Sequence, residues 1–256
     1  FGSSRRVSSG PLGICSAIDG TMVGNRMAPE ELESVPTIEL LNELKRRHQL
    51  LGRPPARVAL LGPPCVGKRT QAEALRRSLG ACRISSADFA AAGEAAATGS
   101  ADARTAAALA VLLDRPQCRR GFVLEGMPAT AAQAQTLADA LERRGTPLEA
   151  AVFLEAPEDQ LLQRCSGRLV HEASGRRYHA EFKPPLEEGL DDFTGEALVR
   201  RQPEEAVLRK GLETYRRDGS LLQEFFRRSG LARTVSAAGS PEEVAAACGE
   251  AVRRQP

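Results

Sequence analysis

The stretch "VALLGPPCVGKRTQAEALRRSLG", residues 58 to 80, constrains the fold more than any other part of this chain. An apolar run leads into a Gly-bearing turn, and the turn opens a helix at a lysine. Backbone N–H groups at such a turn converge on phosphate oxygens, the helix start adds positive potential, and the lysine reaches the outer phosphates. Gly62, Gly67, Lys68 and Thr70 carry that pattern in "GPPCVGKRT". The strict spacing puts Ser or Thr directly after Lys, whereas Arg69 intervenes here. Cys65 and Arg69 stand where such loops often use glycine. Nucleotide-phosphate geometry is therefore expected, and two outcomes stay open: a bound phosphate, or Arg69 folded over the loop into the anion site.

The periodicity downstream extends the strand–turn–helix unit into a domain. Strands are expected at 57 to 61, in "ACRIS", in "GFVLEG", in "AAVFLEA" and in "ARTVSA". Helices are expected at 67 to 79, 131 to 144, 157 to 166 and 241 to 253, with a long helix at 203 to 218 and a second at 220 to 229. "SADFAAAGEAAATGSADARTAAALAVLLDR" reads as Ala-driven helix in two pieces broken near Gly99. Strands alternating with helices predict an α/β fold with a parallel β-sheet covered by helices on both sides. The rhythm stops between Gly167 and Arg201, where charge and turn residues predict a small inserted flap. Upstream, "TIELLNELKRRHQLL" at 37 to 51 predicts a helix with one apolar side that "GRPPAR" ends, and residues 1 to 35, rich in Gly, Ser and Pro, predict an extended N-terminal arm.

Composition excludes several classes. A net charge of +2 and only two Tyr, eight Phe and no Trp in 256 residues give little support to a nucleic-acid stacking platform. Arginine doublets such as Arg46–Arg47, Arg119–Arg120, Arg143–Arg144, Arg176–Arg177, Arg216–Arg217 and Arg227–Arg228 leave RNA contact possible only if folding gathers them on one side. No apolar run reaches the length of a transmembrane helix. Cys15, Cys65, Cys82, Cys118, Cys165 and Cys248 are scattered without a C-x-x-C pair, so neither a zinc knuckle nor a disulfide framework is expected, and a reducing compartment is favoured. The Ser/Arg-rich, acid-poor opening "FGSSRRVSSG" reads as the remnant of an organelle-targeting segment or as a boundary of other origin. Mitochondrial or other organellar residence is expected from the first reading, with the cytoplasm as the alternative.

Taken together, these residues resemble the adenylate kinase family. "GPPCVGKRTQA" parallels G-x-P-G-x-G-K-G-T-Q, "GFVLEGMPATAAQAQTL" parallels G-F-[LV]-L-D-G-F-P-R-T-x-x-Q-A, and "GRLVHEASGRRYHAEFKPPLEEGLDDFTGEAL" follows the lid of the long forms. "ETYRRDGSLLQEFFRRSG" follows the family's terminal helices, and "VPTIELLNELKRRH" resembles the leader helix of plant-type members. The resemblance implies a P-loop nucleoside monophosphate kinase fold over 36–256 with an inserted lid at 167–201 and a shortened NMP-binding region at 84–115. It also implies transfer of a phosphoryl group from MgATP to AMP, chemistry that depends on positioning and positive charge. On the donor side it makes Lys68 the phosphate lysine, Thr70 the magnesium-side hydroxyl, and Arg164, Arg168 and Arg201 the arginines near the phosphates. Glu125 takes the place of the acid that helps hold magnesium through water, one methylene longer than the family's aspartate. Gly62, Cys65, Gly67 and Arg69 complete the donor loop. His171, Ser174, Asp191 and Thr194 match the metal-free, hydrogen-bonded version of the lid, so no structural zinc is expected.

The acceptor side departs from the pattern. Where the family carries arginines in "D-M-L-R", after "D-G-F-P" and in "V-x-K-R-L", this chain has Ala91, Ala129 and Gly211. A dianionic phosphate needs such charge-assisted contacts. The expectation is a catalytically degenerate member that serves as a structural or accessory subunit of a larger assembly, with ATP binding retained as an option. A nucleotide-sensing module and an active nucleoside monophosphate kinase are the alternatives.

Overall fold

The structure is a computed structural model that describes residues 36–51, 54–95, 101–200 and 205–253. The arm expected at 1 to 35, the break near Gly99 and Arg201 lie outside the described residues. The chain divides into two units, 1–53 and 54–256. In the first, α1 spans Thr37–Leu51, with Ile38, Leu41 and Leu44 exposed along it.

The second unit is built on a five-stranded sheet. Its strands are β1 (Ala56–Leu61), β2 (Cys82–Ser85), β3 (Gly121–Glu125), β4 (Ala150–Glu155) and, last in the chain, β8 (Ala232–Ser236). They lie in the order β2-β3-β1-β4-β8, all neighbours parallel. Successive residues of a strand point to opposite faces, and here both faces are apolar. Ala59, Leu61, Ile84, Phe122, Leu124, Ala151 and Phe153 belong to one buried cluster, and Val58, Leu60, Val123, Val152 and Leu154 to the other. Each fully buried side chain of this size stabilises the fold by about 1.5–3 kcal/mol.

Helices cover the two clusters. On one face lie α4 (Ala101–Leu113) and α5 (Ala131–Arg143), contributing Leu109, Leu112, Leu137 and Leu141. On the other lie α2 (Lys68–Leu79), α6 (Glu158–Ser166) and α8 (Pro241–Arg253), contributing Leu75, Leu161 and Val244. Short α3 (Ser86–Ala95) joins β2 to α4 and begins at a reciprocal cap: Ser85 N donates to Asp88 Oδ2 at 2.9 Å, and Asp88 N donates to Ser85 Oγ at 3.2 Å. Ser240 and Glu243 form the equivalent cap for α8.

Two expectations are corrected. The helices expected at 203 to 218 and 220 to 229 are one, α7 (Glu205–Arg228), running through a buried Gly219. A glycine costs a helix about 1 kcal/mol, but Leu208, Leu212, Leu222 and Phe226 carry one buried stripe across it. A Cβ at 219 would lie 3.2 Å from the Tyr215 ring, so the glycine makes room for an aromatic side chain. The second correction concerns cysteine. Cys65 is bonded to Cys165 and Cys82 to Cys118, with Cα–Cα distances of 5.6 and 4.8 Å. Sequence spacing misses both pairs because the bonds join segments that only the sheet and its covering helices bring together.

Between α6 and α7 lies a small antiparallel sheet, β6-β5-β7, made of β5 (Arg168–Val170), β6 (Arg177–His179) and β7 (Val199–Arg200). No helix among the described residues is long and apolar enough to cross a membrane.

Candidate functional site

The phosphate loop leaves β1 at Gly62 and enters α2 at Gly67, with φ of 147° and 98° at the two glycines. A Cβ on Gly62 would come 2.7 Å from the Leu154 carbonyl oxygen, so only glycine lets the loop pass this close to β4. Cys65 has a φ of 61° and is the one non-glycine residue with positive φ among the described residues. Its disulfide to Cys165, on the last turn of α6, ties the loop to the helix that feeds the lid.

Lys68 is the first residue of α2. Its Nζ donates to Gly62 O at 2.8 Å and Pro63 O at 2.6 Å, so the ammonium closes on the mouth of its own loop. Burial pushes its pKa down to about 8; Glu125 opposes the shift and Arg168 adds to it. Arg69 and Thr70 follow, both exposed. Desolvation and the neighbouring cations Arg177 and Arg83 lower the Arg69 pKa.

Glu125 ends β3 beside Lys68, but its direct partner is Arg83 of β2. Arg83 Nη1 lies 2.6 Å from Glu125 Oε2, with 18% and 15% of the two side chains exposed. Glu73 of α2 flanks the same guanidinium, Oε2 4.0 Å from Nε. Arg83 is a site residue that sequence reading missed. Its only sequence signal is that it shares a strand face with Ser85, which pairs in register with Glu125.

The remaining donor residues cluster at the base of the lid. Arg168 opens β5 and acts on Lys68. Arg164 sits on α6 with its guanidinium over the Phe182 ring, 5.6 Å from the centroid. Arg201 lies outside the described residues, and β7 ends at an exposed Arg200.

The lid residues expected to replace a metal meet around Asp191. Arg176 donates to both Asp191 oxygens, at 2.8 and 2.6 Å, and Tyr178 OH, Thr194 N and Thr194 Oγ1 each donate at 3.0 Å. The hydrogen bonds from Arg176 lead in holding the Asp191 carboxyl far below the ordinary carboxylate range, against the opposing effect of burial. His171 Nε2 donates to Glu196 Oε2 at 2.5 Å, leaving Nδ1 to accept from Ser174 Oγ at 2.6 Å. His171, Ser174, Asp191 and Thr194 are thus linked through Arg176, Tyr178 and Glu196, three partners that the motif did not reveal.

The acceptor positions are bare. Ala91 on α3 and Ala129 before α5 are exposed. Gly211 on α7 faces the phosphate loop, where an added Cβ would lie 3.2 Å from Pro64 Cγ.

A parallel sheet of this order, a phosphate loop after its central strand and a lid inserted beyond α6 define the P-loop nucleoside monophosphate kinase fold. The profile of the family described as "Adenylate kinase, active site lid" matches residues 168–202. "Adenylate kinase 4" of Oryza sativa subsp. japonica is 32% identical over 234 residues, covering 86% of this chain and 96% of that protein. "Adenylate kinase 4" of Arabidopsis thaliana is 31% identical, covering 85% and 94%. "Adenylate kinase" of Vanderwaltozyma polyspora is 37% identical over 204 residues, covering 73% and 92%. The chain belongs to the adenylate kinase family.

The family implies magnesium held by a loop hydroxyl and a strand acid. Thr70 is exposed and fits that role. Glu125 fits it less well, because Arg83 already engages its Oε2 and balances its charge in a largely buried pair. No group of three or more His, Cys, Asp or Glu among the described residues is placed to hold a metal ion.

Proposed function

We propose that this chain is a nucleotide-binding member of its family that no longer transfers phosphate to AMP at an ordinary rate and that serves as an accessory subunit of a larger assembly. One observation carries the reading: Ala91, Ala129 and Gly211 occupy the acceptor positions, and Gly211 lies close to the phosphate loop, where an added Cβ would sit a tight 3.2 Å from Pro64 Cγ. Removing several charge-assisted contacts to a dianion costs roughly several kcal/mol, hence orders of magnitude in rate. The donor side keeps its glycines, Lys68, Arg164 and Arg168, which supports retained binding of an adenine nucleotide.

The accessory role is the reading for a fold kept after its acceptor contacts are gone, with residues 1 to 35 as the arm that would engage a neighbour. The arginine doublets favour protein-facing or solvated surfaces over RNA, since Arg144, Arg176, Arg216, Arg217, Arg227 and Arg228 each pair with a carboxylate of this chain. Organellar residence stays with the reading, in a compartment oxidising enough to keep two disulfides.

The test is phosphoryl transfer from ATP to a panel of nucleoside monophosphates by purified, folded protein, with Lys68→Ala as the contamination control. Turnover no greater than the control is expected. Turnover above it sinks the reading and assigns an active kinase. Recovery of the native protein as a free monomer from its organelle removes the accessory role.

A further inference from the structure

We infer that Arg83 stands in for the divalent cation at this site: its guanidinium is the built-in counter-charge of Glu125, and the loop recognises a nucleoside triphosphate without magnesium. The inference rests on the proposal that the loop still binds a donor nucleotide.

The geometry runs from the sheet outward. β2 and β3 are parallel neighbours, with Ser85 opposite Glu125. Arg83 lies two residues back on the Ser85 face and reaches forward to Glu125 Oε2 at 2.6 Å. Glu73 on α2 stands beside the same guanidinium. Arg83 is therefore fixed between two carboxylates, and its positive charge acts on Arg69, the residue that follows Lys68 at the start of α2.

A magnesium ion asks for something else. It keeps an octahedral shell, usually several waters with one or two carboxylates and the phosphate oxygens. An ion seated on Glu125 would compete for a carboxylate whose Oε2 already takes a short charge-assisted bond, within a pair of side chains more than four-fifths buried. The ion would also meet cations already in place, since Arg168 acts on Lys68, and Arg83 and Arg177 act on Arg69. What Glu125 offers a metal in other members it offers here to a residue of its own chain. The same pairing explains why a longer acid is tolerated at the end of β3: the extra methylene lets the carboxylate meet a guanidinium on the neighbouring strand.

The test is calorimetric titration of the full chain with ATP, once in magnesium buffer and once in EDTA. Wild type is expected to bind with the same Kd, within about twofold, in both. Arg83→Gln, which frees Glu125, is expected to bind at least about tenfold more tightly with magnesium than without, a difference of about 1.4 kcal/mol. Arg83→Lys keeps the charge and is expected to show a smaller magnesium effect than Arg83→Gln. Tightening of wild-type binding by tenfold or more on adding magnesium overturns the inference and leaves the donor-binding proposal intact, a comparison that needs no variant to fold. A folded Arg83→Gln protein indifferent to magnesium also overturns it. Absence of ATP binding in both buffers overturns the donor-binding proposal and this inference together.

Discussion

The lid and the acceptor helices rise from the same end of one sheet and are held in opposite ways. The lid has almost no core: Tyr178 is the one buried hydrophobic residue in 168–200, and the sheet there has strands of two or three residues. Its order comes from one buried carboxylate, Asp191, that accepts from a guanidinium, a phenol, a hydroxyl and backbone amides. The acceptor pair α3 and α4 does the reverse. Its alanines cost little entropy in a helix, and Leu109 and Leu112 seat it on the sheet. Polar networks tolerate no missing member, whereas an alanine helix can lose side chains and remain a helix.

Asp191→Ala should have the largest effect. Leaving the buried Tyr178 hydroxyl, the Thr194 donors and the partly exposed Arg176 without their shared partner, at about 1–3 kcal/mol for each buried group, is expected to loosen the lid, read by hydrogen exchange of amides in 168–200. Ordinary lid exchange in that variant would show that the network is ornament. Acid should act in the same direction. The Asp191 pKa is lowered on folding, so its contribution is full above the ordinary carboxylate range and fades only as pH falls well below it. Lid protection is accordingly expected to survive mild acid and to vanish in strong acid.

On the acceptor side, reducing Cys82–Cys118 should lower stability to denaturant by about 2–4 kcal/mol, as the loop it closes spans 36 residues in sequence. Cys82→Ser with Cys118→Ser should reproduce that loss and become indifferent to reductant. Ala91→Arg with Ala129→Arg is expected to raise ATP-to-AMP transfer by about a hundredfold through restored charge-assisted contacts. Failure to do so in a coupled assay would place the defect elsewhere, with the Arg83–Glu125 pair the first suspect.

The smallest effect belongs to Lys68. With its pKa near 8 the ammonium is charged below that pH and neutral above it. ATP affinity is expected to fall by up to about tenfold between pH 7 and 9, and a flat profile would contradict the role given to that lysine. Lys68→Ala should bind more weakly and lose the pH dependence.

What could be read from the chain divides by range of interaction. The β1–loop–α2 unit was legible because "VALLGPPCVGK" packs its apolar run, its turn glycines and its lysine within one short segment. The two-faced sheet followed from apolar residues at adjacent strand positions. Gly219 misled because a helix breaker in sequence is a docking place for Tyr215 in space. Arg83 and Glu125 are 42 residues apart and meet only because β3 inserts between β2 and β1. Cys65 and Cys165 are 100 residues apart and meet only where α6 passes the loop. In the lid, the four motif positions were legible, while Arg176, Tyr178 and Glu196 were hidden among ordinary surface residues.

The Cys82–Cys118 bond joins the first residue of β2 to the turn that leads into β3, and so closes β2, α3 and α4 into one loop. A segment closed in this way stays tied to the edge of the sheet whatever its outward side chains are. Outward side chains can be exchanged there without untying the segment from the sheet, which makes it the natural place to graft a new ligand specificity onto this chain.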